Sequence, residues 1–588
     1  MRSTRMFALI LLALLTVPAA AGANPLGDLF RVSELAANDG RASAFDTQVA
    51  YNGGTGEYLV SWTADGYATP AEDEIWVQRV SAAGTQIGAD RRISTIGAEG
   101  DRTREPFGRP AIAADPVNDR NLVVWSADPE NNTFGNSEFR IYGQLLAADG
   151  SEIGVNDFAI SGSQQGSLYP HVAFNSERQE YLVVWTNHST TDPVQWGQRL
   201  DKNGTLIGDD FQISQIAESG TGSLPQVAYN EAQNEYLVAW FSFKQDEDGE
   251  AWGQRINAVT GAAIGGDVPL TAHGSTDDEV EGGFPSISYN PLAGNYLMTF
   301  TKDYPTPGEL EVYSQVVSAT AVPQGTPARL SPVGTQAYEP ATAYATGPGG
   351  GAGQYLVVWQ QESPPPGFYD YEMWGQRVRF DGALLGTPFK IFEASESFNI
   401  GPWVAGRTDA IEWLTVWTSD CPHGAGIPAQ DNEILGRRVG TAAATGDGVC
   451  KLPGTDPDPT PTPTATPGGT TPPATQPPAV LPPPAKPASK LKSADVLKLP
   501  STRRCVSRRR FRIRLRTPRG AKLAKVTVRV NGKLVRTVRG KRITARVDLR
   551  GLPRGRFRVK IEVTTADGRK VTTTRRYRTC TPKRRTGR

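Results

Sequence analysis

Residues 170–214 read PHVAFNSERQEYLVVWTNHSTTDPVQWGQRLDKNGTLIGDDFQIS, and versions of this block recur along residues 46–440. Each copy contains four short runs that are rich in β-branched and aromatic residues, and turns containing Asn, Asp or Gly separate the runs. No pattern with the period of a helix interrupts them. Four strands in a repeat of this length are typical of the blades of a β-propeller.

Two aromatic markers count the repeats. The first marker ends the second strand of each copy, at Trp62, Trp125, Trp185, Trp240, Phe300, Trp359 and Trp417. The second marker opens the third strand, at Trp76, Tyr142, Trp196, Trp252, Tyr313, Trp374 and, as an outlier, Leu435. Seven markers of each kind, spaced about sixty residues apart, predict seven blades.

The seventh repeat ends after its third strand, at ILGRRV, and continues into GTAAATGDGVC without a fourth. Near the beginning of the chain, residues 26–33 read LGDLFRVS and match IGDDFQIS of the third copy, with Phe30 and Val32 in the places of Phe211 and Ile213. We therefore expect the N-terminal strand to complete the last blade. The predicted fold class is all-β, a seven-bladed β-propeller closed by the N-terminal strand.

The repeat resembles one found in large secreted bacterial proteins, with a pattern similar to W…IYGQRFDADGNPVGGEFQVN. The matching positions are Trp196 to Leu200, Gly204, Gly208 and Phe211 to Ser214. The resemblance covers the propeller region alone. It implies a secreted, repetitive scaffold and transfers no catalytic residue.

The N-terminus has the pattern of a signal peptide. Arg2 and Arg5 precede the apolar run from Phe7 to Val17, and Ala21 and Ala23 suit an A-x-A cleavage site. An uncleaved anchor is the alternative, but this apolar run is shorter than the ~20 residues that a membrane helix needs. We expect residues 1–23 to be a signal peptide, and the protein to be secreted and held at a cell surface or free outside the cell.

Charge and proline content divide the rest of the chain. Residues 490–588 contain 35 Lys and Arg against 4 Asp and Glu, a formal charge of +31, and the remainder carries −30. The segment 453–489 is rich in Pro and Thr, which favours an extended polyproline linker. The predicted domains are the propeller at 24–452, this disordered linker, and a basic domain at 490–588.

The basic domain reads as alternating strands. FRIRLR and VTVRV each place apolar residues on one side and Arg on the other, and Asn531-Gly532 favours a hairpin turn. This pattern predicts a small immunoglobulin-like β-sandwich with cationic outer faces. An exported domain of this charge is expected to bind anionic envelope polymers or polysaccharides, with no sequence-specific nucleic-acid recognition. The candidate binding residues are Arg512, Arg514, Arg516, Arg529, Arg542, Arg546, Arg556, Arg558 and Lys560.

Four cysteines form two local pairs, and four thiols allow three pairings. Because the Pro-rich stretch separates the pairs, we expect disulfides Cys421–Cys450 and Cys505–Cys580. A metal site is the weaker alternative, since no C-x-x-C motif or neighbouring His supports zinc.

The loops that join the second strand to the third, and one repeat to the next, vary in length and sequence, so we expect ligands to bind there. Acidic residues gather in these loops, at Asp101, Glu105, Asp277, Asp278, Glu279, Glu281 and Glu339. They are candidates for a cation or sugar site; solvated surface charge is the alternative. No cofactor is predicted, and Ca²⁺ has no supporting motif because no twelve-residue calcium loop occurs.

The sequence lacks a G-x-S-x-G elbow, an H-E-x-x-H pair and a phosphate-binding loop. The first hypothesis is therefore a secreted, non-enzymatic binding or adhesion protein, with a glycan or protein ligand on the propeller and a basic domain that attaches it to the envelope. The alternative is a polysaccharide hydrolase or lyase with a wall-binding appendage, because paired carboxylates could catalyse glycoside hydrolysis.

Overall fold

A computed structural model describes most of the repeat region and part of the basic region. The described residues are 24–33, 43–65, 73–96, 109–128, 139–162, 166–188, 193–215, 224–243, 249–271, 281–302, 310–347, 351, 353–362, 371–393, 399–420, 432–441, 497–498, 511–515, 523–530, 533–539, 547–549, 556–565 and 570–578. The chain forms two compact units, Met1–Pro461 and Thr462–Arg588.

All regular secondary structure in the described ranges is β-strand. The first unit contains β1 (Asn24–Arg31), β2 (Ala44–Asn52), β3 (Glu57–Asp65), β4 (Asp73–Ser81), β5 (Gln86–Arg92), β6 (Ala111–Asp115), β7 (Arg120–Ala127), β8 (Arg140–Ala147), β9 (Glu152–Ala159), β10 (Ser167–Asn175), β11 (Glu180–Asn187), β12 (Val194–Asp201), β13 (Leu206–Gln212), β14 (Gln226–Asn230), β15 (Glu235–Phe243), β16 (Gly249–Asn257), β17 (Ala263–Pro269), β18 (Glu281–Asn290), β19 (Asn295–Lys302), β20 (Glu311–Ser318), β21 (Pro323–Arg329), β22 (Ala337–Ala345), β23 (Gln354–Glu362), β24 (Tyr371–Arg379), β25 (Leu384–Phe392), β26 (Asn399–Gly406), β27 (Glu412–Ser419) and β28 (Glu433–Gly440).

These strands form seven four-stranded antiparallel sheets. Sheets 1 to 6 are β2–β5, β6–β9, β10–β13, β14–β17, β18–β21 and β22–β25, each in sequence order, and sheet 7 has the order β1-β28-β27-β26. The predicted all-β fold of repeated four-stranded units is confirmed, and the arrangement fits a β-propeller.

The register explains why the two aromatic markers recur. In every sheet the marker that ends the second strand lies directly opposite the marker that opens the third, as in Trp185 with Trp196 and Trp417 with Leu435. The second-strand marker is fully buried in each sheet, for example at Trp62 and Trp240. Directly opposed aromatic residues on one face of a sheet stabilise strand pairing, so the repeat preserves a cross-strand contact.

Apolar clusters join each sheet to the next. Trp125 of sheet 2 packs with residues of sheet 1, and Trp185 of sheet 3 packs with residues of sheet 2. The same relationship continues through sheet 7. A further cluster places Val416 of sheet 7 against Trp62 of sheet 1. The first strands of the sheets, which we call the inner strands, likewise contact one another in order, and β26 contacts β2.

The N-terminal strand β1 occupies the place of a fourth strand in sheet 7. Phe30 pairs with Gly436, just as Phe211 pairs with Gly197 in sheet 3. The Val32 amide donates to the Ile434 carbonyl at 2.7 Å, and Val32 is fully buried. A Cβ on residue 436 would lie 2.8 Å from the Phe30 ring, so the close packing of this ring requires glycine.

The polar residues that recur from repeat to repeat form ion pairs and hydrogen bonds within their own sheets. Arg79 and Arg255 form ion pairs with Glu57 and Glu235, the first residues of the second strands of their own sheets. The recurring Gln of the third strand donates to backbone carbonyls, as Gln198 does to Arg199 at 2.9 Å. Because these contacts repeat from sheet to sheet, they stabilise the scaffold and do not mark one active site.

The second unit contains β29 (Leu497–Lys498), β30 (Phe511–Leu515), β31 (Leu523–Val530), β32 (Lys533–Arg539), β33 (Val547–Leu549), β34 (Arg556–Thr565) and β35 (Lys570–Arg578). They form a three-stranded sheet, β29-β30-β33, and a four-stranded sheet, β32-β31-β34-β35. One face of the larger sheet is apolar, and Val526, Val528 and Ile561 on it are at most 1% exposed. No helix within the described residues is long and apolar enough to cross a membrane.

Candidate functional site

The inner strands carry a repeated irregularity near their N-terminal ends. Residues at the same place in most of the sheets have positive φ angles, at Asp46 (56°), Tyr169 (56°), Leu224 (31°), Phe284 (51°), Glu339 (47°) and Gly401 (63°). In five of the inner strands the pairing register shifts at this point. Proline follows in six sheets, at Pro110, Pro170, Pro225, Pro285, Pro340 and Pro402. A bulge of this kind redirects a side chain away from the plane of the sheet.

Arg109 holds the corresponding position in sheet 2, immediately before Pro110 and β6. Its guanidinium forms an ion pair with the carboxylate of Glu339, which belongs to sheet 6 and lies 230 positions later in the sequence. Both side chains are only partly exposed, at 28% and 25%. The inner strands of sheets 2 and 6 are not neighbours, so this ion pair joins two sheets that are separated by others in the order of contacts.

Gly401 brings a third sheet to the same point. A Cβ at this position would lie 3.2 Å from Nη2 of Arg109 and 3.8 Å from Oε2 of Glu339. Its φ of +63° also disfavours a side chain. Glycine in sheet 7 therefore leaves room for the ion pair between sheets 2 and 6.

Asp46 of sheet 1 adds a second carboxylate. Burial lowers the pKa of Arg109, but the negative charges of Glu339 and Asp46 more than offset this, so its pKa is raised above the ordinary value. We call Asp46, Arg109, Glu339 and Gly401 the inner cluster. The inner cluster contains one cation and two acidic groups. Its four residues come from four different sheets.

Aromatic and imidazole groups lie two residues further along the inner strands. His171 of sheet 3 and Trp403 of sheet 7 have ring centroids 6.1 Å apart. Nδ1 of His171 accepts a hydrogen bond from the Val227 amide at 3.2 Å, which leaves the proton of the neutral ring on Nε2. Burial lowers the pKa of His171 to about 4, so this imidazole is neutral at neutral pH.

Tyr169 holds the corresponding position in sheet 3, immediately before Pro170, and contacts a second imidazole. Its ring and that of His188 are 6.1 Å apart in an edge-to-face arrangement. Burial lowers the pKa of His188, which also favours a neutral ring. Sheet 3 therefore supplies a phenol and two imidazoles, at Tyr169 and His171 of its inner strand and at His188 just after its second strand.

Of the acidic candidates from the sequence, the structure places Glu339 in the inner cluster. Glu281 begins β18, where its backbone pairs with that of Lys302; the structure does not describe its side chain. The remaining acidic candidates, Asp101, Glu105, Asp277, Asp278 and Glu279, lie outside the described residues. Within the described ranges, no group of three or more His, Cys, Asp or Glu residues could hold a metal ion.

The basic candidates divide in the same way. Arg558 and Lys560 of β34 are exposed, and Arg529 of β31 is half-buried. Arg512, Arg514 and Arg556 lie on strands whose side chains at these positions are not described. Arg516, Arg542 and Arg546 lie outside the described residues, as do both predicted disulfides, Cys421–Cys450 and Cys505–Cys580.

Sequence analysis missed Asp46, Arg109, Tyr169 and His171. The available signal was the proline near the start of most inner strands, because aligning the repeats on it places the preceding residues at one position. That alignment would not have shown that residues of sheets 2 and 6 touch.

No family model matches the chain, and no curated protein matches its sequence. Solved structures match its fold in part. The polysaccharide lyase Uly1 is 10% identical with a TM-score of 0.40, and the match covers 72% of this chain and 98% of that one. An α-L-arabinanase from Penicillium chrysogenum is 13% identical with a TM-score of 0.35, over 72% and 99% of the two chains. A Trypanosoma rangeli sialidase is 7% identical with a TM-score of 0.37, over 67% of this chain and 55% of that one.

These similarities transfer no residue, since identity and TM-score are both low. All three matched proteins are nevertheless named as enzymes of carbohydrate chemistry, and none is named as an adhesion protein. Our first hypothesis, a non-enzymatic binding or adhesion protein, is therefore corrected in favour of the alternative. A search for local motifs could not have found the inner cluster, because its charged groups come from separate repeats.

Proposed function

We propose that the first unit is a polysaccharide hydrolase or lyase whose substrate binds over the inner cluster. The observation that carries this proposal is the Arg109–Glu339 ion pair, which brings together groups of sheets 2 and 6 beside the acidic residue Asp46. Glycoside hydrolysis commonly uses two carboxyl groups, one as acid and one as base or nucleophile. In a lyase, a fixed cation would stabilise negative charge that develops on the sugar.

Each residue has a proposed task. Arg109 binds an anionic group of the substrate or of the transition state. Glu339, oriented by the ion pair, acts as the base, which takes a proton from the attacking water in a hydrolase or from a carbon of the sugar ring in a lyase. The Tyr169 hydroxyl supplies a proton to the leaving oxygen, and the Asp46 carboxylate helps to hold the Arg109 cation in place. His171 and Trp403 lie two residues further along their inner strands, and their rings pack together with centroids 6.1 Å apart.

The proposal is tested with the full chain on a panel of purified polysaccharides that includes arabinan, polygalacturonate and a sulfated glycan. Release of reducing ends without a new ultraviolet band identifies a hydrolase, and the absorbance of an unsaturated uronate identifies a lyase. On the polymer that is cleaved, Glu339→Gln should lower kcat by a factor of about 100 or more. The matched control is Glu231→Gln, because Glu231 is an exposed carboxylate in the turn after β14. Absence of turnover on every polymer, or equal turnover by both variants, would reject the assignment.

We also propose that the seven sheets form a closed seven-bladed propeller and that the mature protein is exported. Support for closure comes from the place of β1 in sheet 7 and from the apolar cluster shared by sheets 7 and 1. Support for export comes from the apolar N-terminal run and its small residues before position 24.

The second unit, in this proposal, is a small immunoglobulin-like sandwich that attaches the enzyme to an anionic envelope polymer or polysaccharide. Its charge of +31 over residues 490–588 supports that role. Such attachment is driven by counterion release, so it should weaken steeply with salt. The expected contact residues are the nine basic positions from Arg512 to Lys560 named above.

A further inference from the structure

The larger sheet of the second unit places cations directly opposite cations. Arg529 of β31 pairs in register with Lys560 of β34, and Arg558 of β34 pairs with Arg576 of β35. Arg558, Lys560 and Arg576 are exposed. The sequence shows many basic residues in this region, but only the register shows which of them are neighbours.

These four residues share one face. Side chains alternate along a strand, and the intervening positions, Val528, Val530, Val559 and Ile561, are at most 5% exposed. Neighbouring strands are about 5 Å apart, and residues two apart along a strand are separated by about 7 Å. The cations therefore form a compact patch in two rows, which we call the cationic face (Arg529, Arg558, Lys560 and Arg576).

Opposed like charges at this separation destabilise a sheet. One acidic residue of β34 offsets part of the charge, since Glu562 forms an ion pair with Lys560 at 2.9 Å. The next row, Arg558 opposite Arg576, contains two cations in register. An anion between the rows would accept charge-assisted hydrogen bonds from the guanidinium groups.

We propose that the cationic face binds an anionic polysaccharide through its carboxylate or sulfate groups. This inference rests on the attachment role proposed for the second unit and assigns it to one surface and one class of polymer. A polysaccharide fits better than a nucleic acid, because the described residues on this face, which also include Thr527, offer no aromatic side chain on which bases could stack.

The first experiment measures the salt concentration at which the full chain elutes from immobilised heparin, a sulfated polysaccharide, and from polygalacturonate. The double variant Arg558→Gln/Arg576→Gln should elute at a clearly lower salt concentration. The control Lys583→Gln/Arg584→Gln removes the same charge from the C-terminal end of the chain and should elute close to the unmodified protein. Equal losses in the two variants would overturn the proposal, because binding would then follow net charge alone. Retention on immobilised double-stranded DNA that falls as strongly in the first variant would overturn the choice of polysaccharide.

The second experiment separates binding from folding. Arg576→Glu places a carboxylate opposite Arg558, so it should raise the melting midpoint of the second unit at low salt while it reduces retention on heparin. Heparin should raise the melting midpoint of the unmodified chain more than that of this variant. A lower midpoint, or an equal effect of heparin on both proteins, would contradict the inference. Turnover by the first unit on a short soluble substrate should stay unchanged in every variant, so loss of attachment and failure of the proposed enzymatic function give different results.

Discussion

Arg109 and Glu339 are 230 positions apart in the chain and form an ion pair between the inner strands of sheets 2 and 6. Gly401 of sheet 7 lies against this pair, and Asp46 of sheet 1 influences its charge. The geometry at one end of the inner strands therefore depends on all of these sheets together.

Gly401→Ala should destabilise the first unit by roughly 1 kcal/mol or more, because its φ is +63° and its Cβ would lie 3.2 Å from Nη2 of Arg109. Chemical denaturation measures the change. Under the proposed function, the substitution should also displace Arg109 and lower turnover on the polymer that the wild-type chain cleaves. Gly266→Ala is the control, since Gly266 is exposed and nothing lies within 4 Å of the added atom. Equal effects of the two substitutions would show that the packing around Gly401 tolerates a methyl group.

Val32→Ala tests the place of the N-terminal strand. Val32 is 0% exposed and packs in the cluster between sheets 7 and 1, so truncation should lower the free energy of unfolding by about 2 kcal/mol. Val155, which is 73% exposed on β9, is the control, and its change to Ala should have little effect. If Val32→Ala changed the free energy of unfolding as little as Val155→Ala, the strand β1 would not be part of sheet 7 in solution.

His171→Gln should remove an acid sensitivity. Burial lowers the pKa of His171 from 6.5 to about 4, so the unfolded chain binds a proton more readily than the folded one between these values. The stability that the neutral ring contributes is therefore fully present above pH 6.5 and is lost as the pH falls towards 4, by about 3 kcal/mol.

Glutamine is a suitable replacement because the corresponding residue of sheet 1, Gln48, accepts the Ile112 amide at 2.9 Å as His171 accepts that of Val227. Melting curves across this pH range should converge at low pH, as the unmodified chain loses more stability than the variant. Parallel curves would mean that His171 keeps an ordinary pKa.

Asn121→Tyr should stabilise the contact between sheets 1 and 2. The other six sheets carry a buried aromatic residue at this place in the second strand, at Tyr58, Tyr181, Tyr236, Tyr296, Tyr355 and Trp413. Asn121 instead borders a cavity of about 10 Å³ together with Asn52 and Arg79, and its Oδ1 has no hydrogen-bond partner among the described residues.

Partial filling of this site by a tyrosine ring should raise the free energy of unfolding by about 1 kcal/mol. The reverse exchange in sheet 3, Tyr181→Asn, should cost about 3 kcal/mol or more, because Tyr181 is fully buried. A lower melting midpoint for Asn121→Tyr would show that the neighbouring side chains cannot move to admit the ring.

The sequence alone determined the class of fold because its information was local and repeated. The pairing of Trp185 with Trp196 is encoded by two strands joined by one loop, and the same pattern occurs seven times. The match of Phe30 and Val32 to Phe211 and Ile213 also placed the N-terminal strand. This strand matches the fourth strand of the other repeats, and the seventh repeat is the one that lacks a fourth strand.

Only the tertiary structure decided the candidate site and the cationic face. Arg109 and Glu339 belong to different repeats, and no spacing in the sequence predicts that these two side chains are in contact. Arg558 and Arg576 become neighbours through the register of β34 and β35, and a shift of one residue would place them on opposite faces. The physical reason is the same for the candidate site and for the cationic face. Alternation along a strand determines the face on which a side chain lies, whereas the packing of separate strands determines which other side chain it contacts.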